Sequence, residues 1–582
     1  MRKFFKLVFA IIFAWFFVAA FSLLLLVIVV AAASKDGAPD VLDKSVLKLE
    51  LNYEIPEQTT DNPFAGMSLG NLKPQKALGL TDLLSTIAKA KTDDKIKGIY
   101  LEMGINDNGM ATLEVLRNAL IDFKKSGKFV FAYGQVINQK SYYLCSIADK
   151  VFINPTGVLE LKGFGREITY YKGMFDKLGI EVQDFHCGAF KSAIEPFIRT
   201  NMTDANRTQL MNIYGDVYRH FVGNIAEARG IDTAELNKII NGLQVESPED
   251  AVRLKLADAQ AFYDEVTDSI NARTGADKTK EPVFVIAAKY AKTVEKDEKG
   301  ERIAVVYAQG DIKDGEGEEG EIGGDAFAKT FRKLRKDDKV KAVVLRINSP
   351  GGSALASDLM WRELVLLKKA KPLVISFGDV AASGGYYMAC MGDRIFAQPT
   401  TITGSIGVFG LIPNGKKLMN EKLGITFDEV KVTEHGVLGG ITKPLDATES
   451  AVAQRNVERT YREFKEHVAS GRNRDTAYIE TIAQGRVWTG NQAIQNGLVD
   501  ELGDLDAAIA YAAKKAKLKE YHTMAYPKGK SFKEQIAESL NEARSNTIRE
   551  EIGDEQYKLL QVIKQVKEMR GTQMRMIYDL GL

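Results

Sequence analysis

The chain has 582 residues, 45% hydrophobic and 27% charged, with a formal net charge of +1. This length exceeds what one hydrophobic core supports, so at least two domains are expected, and the balanced charge argues against a nucleic-acid-binding surface. Three cysteines are too few for a disulfide framework or a four-cysteine zinc site, and the five histidines are scattered along the chain. We therefore expect neither a metal nor a cofactor.

Residues 1–35 are predicted to be a membrane anchor. Arg2, Lys3 and Lys6 precede a run, 7–33, that has no charge and a single polar residue, Ser22. As a helix at 1.5 Å per residue, this run reaches about 40 Å, enough to cross a hydrocarbon core of about 30 Å. The leading basic residues favour one transmembrane helix with its N-terminus inside and the body outside. The "AAAS" at its end also resembles a signal-peptide cleavage site, so removal of the segment stays open.

The remainder of the chain is duplicated. Residues 129–163 align without a gap on 373–407, with several identical pairs at a constant spacing of 244 residues, as between Gly134 and Gly378. This internal repeat predicts two homologous domains, at 45–280 and 300–525, followed by a C-terminal helical tail at 526–582.

Within each repeat, apolar runs alternate with helical patterns. In the second repeat, "KAVVLRIN" and "PLVISF" are typical of buried strands, and the segment between them, "ASDLMWRELVLLKKA", has helical spacing. A strand, a helix and a strand in this order are typical of a βαβ unit, so an α/β fold with parallel sheets is predicted. We also predict a helical extension at 204–272 and an acidic, glycine-rich surface loop at 314–325.

The stretch "GDVAASGGYYMA" surrounds Ser383 with small residues. Such a stretch is explained either by a tight turn or by a nucleophile that a substrate backbone approaches closely. The first repeat has Gln139 and Lys140 where the second has Ser383 and Gly384. A turn that needed small residues for structure would be expected to keep them in both copies. The difference therefore favours a catalytic role for Ser383.

The second repeat alone carries "SPGG", 349–352, between a predicted strand and a predicted helix. Glycine allows positive φ and leaves the approach to its backbone open, so the N–H groups of Gly351 and Gly352 are expected to be free. With the N–H of Gly384, which follows the serine, they are candidates for an oxyanion hole. An ordinary strand-to-helix turn explains "SPGG" equally well.

A nucleophilic serine needs a base, and no histidine occurs between Ser383 and His435. A buried lysine is the alternative, because desolvation lowers the pKa of its amine. Lys191, in "CGAFKSAIEPF", has small and apolar neighbours, although many other basic residues could serve. The segments 178–188 and 423–433 are predicted to be corresponding strands in the two copies.

The anchor, "FKSAIEPF", "RINSPGGSAL", "GDVAASGGYYMA" and "TGSIGVFG" together closely resemble the signal peptide peptidase A (protease IV) family in its long two-domain form. The resemblance covers residues 1–525 and implies that Ser383 is the nucleophile and Lys191 the general base. It also implies two tandem Clp/crotonase-like spiral domains, a homotetramer, and a location at the bacterial inner membrane with the body on the periplasmic side.

The resemblance further implies a serine endopeptidase that degrades cleaved signal peptides and other extended apolar peptides through an acyl-enzyme. An extended substrate would pair with backbone near the "SPGG" turn and 401–407. The candidate substrate-binding residues are Ser353, Ala354, Thr403, Gly404 and Ser405. Two alternatives stay open, a crotonase-like acyl-CoA enzyme and a non-catalytic membrane-bound scaffold. The predicted external location argues against the first, because acyl-CoA is chiefly cytoplasmic.

Overall fold

A computed structural model describes most of the chain between the two termini. The described residues are 13–18, 21, 39–59, 77–277, 279–295, 298–318, 320–527, 571–576 and 581–582. Apart from 13–18 and 21, the predicted membrane run lies outside these residues. Within the part that is described, no helix is both long and apolar enough to span a bilayer.

The first repeat forms a six-stranded parallel sheet. Its strands are β1 (Ser45–Glu50), β2 (Ile96–Met103), β3 (Phe129–Ile137), β4 (Lys150–Leu159), β6 (Ala259–Gln260) and β7 (Phe284–Ile286). They are ordered β6-β4-β3-β2-β1-β7, with every pair parallel. Apolar β-branched residues such as Ile99, Val130 and Val151 are fully buried in it, as expected for a sheet covered on both faces.

The second repeat forms a larger sheet of the same kind. Its strands are β8 (Glu301–Gln309), β11 (Val340–Ser349), β13 (Leu373–Ala382), β14 (Arg394–Ala397), β15 (Ile402–Gly404), β17 (Val487–Thr489), β18 (Glu501–Leu502) and β19 (Tyr521–Tyr526). The order is β17-β15-β13-β11-β8-β19, with β14 against β13 and β18 against β14. All pairs are parallel except β15 with β17. The predicted strands in "KAVVLRIN" and "PLVISF" are β11 and β13, and the α/β prediction is confirmed.

A third, mixed sheet joins the two repeats. It consists of β5 (Glu181–Cys187), β9 (Asp311–Lys313), β10 (Glu321–Gly323), β12 (Gly351–Ser353), β16 (Val408–Asn414) and β20 (Thr572–Arg575). Its order is β10-β9-β12-β20-β16-β5. β5 of the first repeat pairs antiparallel with β16 of the second along its whole length. The proposed domain limits therefore stay a prediction, because this sheet takes strands from both repeats.

Helices cover the sheets, and many begin at a side-chain cap. The helix Asp204–Arg229, for example, starts where the Thr203 side chain accepts the Asn206 N–H, and it ends at Gly230 with a φ of 63°. The α-helices are Leu80–Thr92, Met110–Lys124, Gln139–Cys145, Lys172–Leu178, Glu195–Ile198, Asp204–Arg229, Thr233–Asn241, Pro248–Arg253, Tyr263–Thr274, Ala287–Tyr290, Gly324–Lys336, Ala354–Ala370, Gly384–Ala389, Ala447–Arg472, Thr476–Ile482, Gly490–Gln495 and Leu505–Lys515. Ser192–Ile194 and Ala291–Thr293 are 3₁₀ turns, and Leu418–Lys422 is a π turn.

Three local predictions differ from the structure. The predicted strand at 423–433 has no regular structure, because β16 takes the place beside β5. The predicted loop at 314–325 contains β10, which pairs with β9. In the predicted helical tail, 572–575 is the strand β20, because two strands flank it, while 528–570 lies outside the described residues.

Asp379, in the second half of β13, connects the second repeat to the first. Its carboxylate accepts hydrogen bonds from the Thr112 backbone N–H at 2.9 Å and the Thr112 hydroxyl at 2.6 Å. Thr112 lies in the first turn of the helix Met110–Lys124, where backbone N–H groups lack partners within the helix. This contact therefore caps a helix of one copy with a side chain from the other, four residues before Ser383.

We expect Asp379→Ala to lower the free energy of unfolding by about 1 kcal/mol, because the helix loses its cap. The measurement is the midpoint of urea denaturation, with Asp338→Ala, at an exposed aspartate, as the matched control. Equal midpoints for the two variants would contradict the capping role.

Candidate active site

Ser383 sits at a sharp turn between β13 and the helix Gly384–Ala389. Its φ of 55° and ψ of −114° are rare for a residue with a side chain, and such strain persists only when neighbours hold it. The Ser383 N–H donates to the Gly404 carbonyl at 2.8 Å, and its carbonyl accepts the Tyr387 N–H at 2.8 Å. The turn therefore places the hydroxyl at the N-terminus of a helix, where backbone N–H groups are unpaired.

The small residues after Ser383 also serve packing. A methyl group on Gly384 would lie 2.6 Å from Ser357 Oγ, and one on Gly385 would lie 2.9 Å from the Ser349 carbonyl oxygen. Both separations are shorter than a carbon and an oxygen tolerate. The tight turn and the accessible hydroxyl, which were two alternative explanations of this stretch, are therefore compatible, because the tight turn presents the hydroxyl.

Lys191 reaches Ser383 from the other repeat. It follows β5, just before the turn Ser192–Ile194, and its Nζ lies 2.8 Å from Ser383 Oγ. Ser405 accepts two hydrogen bonds from the same amine, one through its hydroxyl at 2.9 Å and one through its carbonyl at 3.0 Å. Lys191 is 3% exposed and Ser383 is 0% exposed. The structure thus brings together the two residues that the sequence singled out.

Burial lowers the pKa of Lys191 well below its ordinary value, because the ammonium form loses its hydration. Two glycines make room for the side chain. A methyl group on Gly485 would lie 2.6 Å from Lys191 Cα and Cβ, and one on Gly407 would lie 3.1 Å from Cδ. The surroundings therefore favour a neutral amine beside the serine.

The predicted substrate-binding residues on β15 have another role. β15 lies between β13 and β17, so both of its edges are already paired. The Thr403 hydroxyl donates to the Ala381 carbonyl at 2.7 Å, and the Gly404 carbonyl accepts the Ser383 N–H. Ser405 accepts hydrogen bonds from Lys191, so Thr403, Gly404 and Ser405 together hold Ser383 and Lys191 in place. They leave no free backbone edge for an extended substrate.

The glycines of "SPGG" line the same site, but their surroundings differ from the prediction. The Gly351 N–H is not free, because it donates to Ser349 Oγ at 3.2 Å. Gly351 has a φ of 97°, and a methyl group on it would lie 2.7 Å from the Gly384 nitrogen. Gly352 belongs to β12, which pairs with β20. Gly384, at the start of its helix, and Gly352, opposite β20, stay the candidate donors, and Gly351 provides the close approach between them.

Ser353 and Ala354 begin the helix that follows. The Ser353 hydroxyl accepts the Ala356 N–H at 3.2 Å and donates to Asp314, so its side chain caps the helix Ala354–Ala370. Ala354 is the first residue of that helix and is 6% exposed. The backbone of Ser353 pairs with Gln573 of β20, the strand that lies between β12 and β16.

The corresponding position of the first repeat is filled. Lys140, the counterpart of Gly384, donates to the Asn108 carbonyl at 2.9 Å and the Asp107 carbonyl at 3.3 Å. These carbonyls belong to the turn that matches "SPGG" at the 244-residue spacing. In the first repeat, the Lys140 side chain thus contacts the turn that corresponds to the one carrying the candidate oxyanion donors of the second repeat.

One group of side chains elsewhere has the spacing of metal ligands. Ligand atoms of His435, Asp446 and Glu449 lie within 4.8 Å of one another. Asp446 and Glu449 form the reciprocal cap of the helix Ala447–Arg472, which accounts for their approach.

Sequence reasoning missed the contact of Ser405 with Lys191 and the space made by Gly485. The pattern "TGSIG" drew attention to Ser405 but not to its partner. Nothing in the local sequence connects Gly485 to a lysine almost 300 residues earlier, since only folding brings them together.

Comparison with known proteins gives consistent results. The model for peptidase family S49 matches residues 122–277 and again 365–519. Protease 4 of Salmonella typhi is 37% identical over 470 residues, covering 79% of this chain and 76% of that protein. The chloroplastic serine protease SPPA of Arabidopsis thaliana is 34% identical, covering 81% and 69%. Among solved structures, a ClpP1 mutant from Listeria monocytogenes matches with 13% identity and a TM-score of 0.24. The match covers 35% of this chain and 94% of that one.

Proposed function

The chain belongs to peptidase family S49 and is a serine protease, and we propose that it works through a dyad of Ser383 and Lys191. The observation that carries the proposal is the 2.8 Å separation of Lys191 Nζ and Ser383 Oγ in a site closed to water. A base must lie within hydrogen-bond reach of the proton it takes and must be unprotonated, and burial supplies the second condition.

The hydrogen bonds of Lys191 orient its lone pair. A neutral amine has two N–H bonds and one lone pair, and the Ser405 carbonyl and hydroxyl accept the two N–H bonds. The lone pair then faces the Ser383 hydroxyl. Lys191 takes that proton as Ser383 Oγ attacks the substrate carbonyl, and it delivers the proton to the leaving amine.

Charge then develops on the carbonyl oxygen of the substrate. The Gly384 N–H at the start of its helix and the Gly352 N–H on β12 are the donors that stabilise it, each worth about 2.7–4 kcal/mol. Water, deprotonated in turn by Lys191, hydrolyses the resulting ester and restores Ser383.

The surroundings of the dyad favour an extended apolar substrate. A peptide that took the place of β20 between β12 and β16 would hydrogen-bond to both strands and present alternate side chains to pockets. The cavity beside Lys191 is lined mainly by apolar side chains, among them Leu210, Ile213 and Val487. Signal peptides released from preproteins combine these properties, and we assign them as the substrate class.

The proposal extends to location and assembly. The uncharged run 7–33 would hold the catalytic body on the periplasmic side of a bacterial inner membrane, close to signal peptides left in the bilayer. The resemblance to protease IV supports a homotetramer and spiral repeats of the Clp/crotonase type.

Replacing either member of the dyad tests the mechanism. We expect Ser383→Ala and Lys191→Ala each to lower kcat/KM on an apolar fluorogenic peptide at least about 10³-fold, because the two residues act as one unit. Lys95→Ala, at an exposed lysine, is the control and should retain full activity. A serine-reactive phosphonate should label Ser383 in the unaltered chain. Cleavage by either dyad variant at a rate close to that of the unaltered chain would exclude the dyad, and absence of labelling would exclude Ser383 as the nucleophile.

The lowered pKa of Lys191 sets the pH dependence. Because only the neutral amine accepts a proton, kcat/KM should rise with pH through the lowered pKa and stay high on the alkaline side. The measurement is the pH profile of peptide cleavage. A maximum below about pH 6, where even a strongly shifted lysine is mostly charged, would exclude lysine as the base.

Deletion of residues 1–35 tests the anchor. We expect the shortened chain to leave the membrane fraction of the cells while keeping peptidase activity, because the dyad lies in the body. The measurement is the distribution of protein and activity between membrane and soluble fractions. A full-length chain found in the soluble fraction would contradict anchoring.

A further inference from the structure

The strand β13 leaves its regular pairing with β11 shortly before the candidate nucleophile. Ile347 lies opposite Phe377, and the next pair in register is Ser349 with Ala381. Three residues of β13, 378–380, therefore lie opposite a single residue of β11, and we call them the β13 bulge. A bulge bends its strand and re-aims the side chains that follow it. The direction in which the strand delivers the catalytic serine thus depends on the shape of this bulge.

Side chains hold every residue of the β13 bulge. The Gly378 carbonyl accepts the Thr401 hydroxyl at 2.8 Å. The Val380 N–H donates to Asn348 Oδ1 at 3.1 Å. Between them, the carboxylate of Asp379 caps a helix of the first repeat. Side chains from three different parts of the chain therefore fix the bulge.

A buried ion pair holds the residue that precedes the bulge. Arg346 of β11 is 2% exposed, and its Nη1 donates to Ser376 Oγ at 3.0 Å and to the Phe377 carbonyl. Its Nε donates to Glu57 Oε2 at 2.9 Å. Glu57 is 4% exposed and belongs to the first repeat, 289 residues earlier in the chain. The guanidinium thus links a carboxylate of the first repeat to the last residue of β13 before its bulge.

The second oxygen of Glu57 contacts the bulge itself. A methyl group on Gly378 would lie 2.8 Å from Glu57 Oε1, so only glycine leaves room for the carboxylate. This oxygen is buried and has no hydrogen-bond partner among the described residues. Burial of an ion pair costs desolvation that the attraction often fails to offset, and apolar replacements are frequently as stable. Stability alone therefore does not explain why the pair is buried here.

The buried pair occurs only in the copy that carries the nucleophile. At the spacing of 244 residues, the counterpart of Arg346 in the first repeat is Glu102. Its side chain is 41% exposed and forms a surface ion pair with Lys48 at 2.6 Å. The first repeat thus has an acidic surface residue where the second has a buried guanidinium. The difference coincides with the difference at Ser383.

We propose that Glu57 is a positioning residue for Ser383 and acts through Arg346 and the β13 bulge. The inference rests on the proposed function, in which Ser383 is the nucleophile. Without Glu57, the guanidinium would be a buried charge without its counter-ion, and it would move away from the Phe377 carbonyl. The bulge would then relax, and Ser383 Oγ would lose its alignment with Lys191. A misplacement of about 1 Å lowers a rate about 10²-fold.

Labelling of Ser383 by a serine-reactive phosphonate tests the proposal, because it separates alignment from folding. The final extent of labelling counts the folded sites, and the rate constant measures the reactivity of each site. We expect Glu57→Ala to lower the rate constant and kcat about 10²-fold. The extent of labelling and KM should stay within about twofold of the unaltered chain, since the substrate contacts are kept.

Two further variants complete the test. Arg346→Lys keeps a positive charge beside Glu57, but one amine cannot span the carboxylate and the Phe377 carbonyl as the guanidinium does, so a similar fall in rate is expected. Glu102→Ala, at the matched position of the first repeat, should leave the rate unchanged. An unchanged rate constant in Glu57→Ala or in Arg346→Lys would overturn the positioning role. A lower extent of labelling at an unchanged rate constant would also overturn it, because only folding would then be affected.

The outcomes separate this inference from the function on which it rests. If the unaltered chain cleaves the peptide and is labelled at Ser383, and Glu57→Ala is labelled at the same rate, only the positioning role is wrong. If the unaltered chain is not labelled at Ser383 and cleaves no peptide, the proposed mechanism itself fails.

Discussion

The hydrogen bond between Lys191 Nζ and Ser383 Oγ joins two side chains that are closed off from water, and that burial determines what surrounds them. A buried ammonium would be strongly disfavoured, so the lysine is kept as an amine and needs acceptors for its own N–H bonds. Ser405 supplies both acceptors. The antiparallel pairing of β5 with β16 brings the lysine across from the first repeat, and Gly485 leaves the space through which its side chain passes.

The duplication explains how one site needs two copies of a fold. Both copies keep a network of a carboxylate, a tyrosine and a histidine, in which the tyrosine lies on the helix that follows the position of Ser383. In the second copy, Tyr387 donates to Asp358 at 2.8 Å, and His467 Nε2 lies 3.6 Å from Asp358. The first copy repeats the arrangement with Glu114, Tyr143 and His220. The supporting structure is thus retained twice, while Ser383 and the glycines of "SPGG" occur only in the second copy.

The third sheet brings strands of both repeats and of the C-terminal part next to Ser383 and Lys191. β12 and β16 come from the second repeat and β20 from near the C-terminus, while β5 of the first repeat pairs with β16 and is followed by Lys191. Antiparallel pairing recognises any extended backbone, and selection of the occupant is left to the pockets on either side. In β20 itself, Met574 and Met576 pack in two apolar clusters of this region.

Local patterns in the sequence were sufficient to predict the α/β class and the strands β11 and β13, and to select Ser383 and Lys191 as candidates. The reason is that burial periodicity and the differences between aligned repeats are properties of short segments. Tertiary structure alone decided the rest. The strand expected at 423–433 did not form because β16 occupies the edge of β5, and the tail expected to be helical contributes β20 because two strands flank it. Likewise, β15 carries no free edge for a substrate, since its neighbours pair with it on both sides. Strand pairing depends on partners far along the chain, and no local pattern specifies which partner arrives.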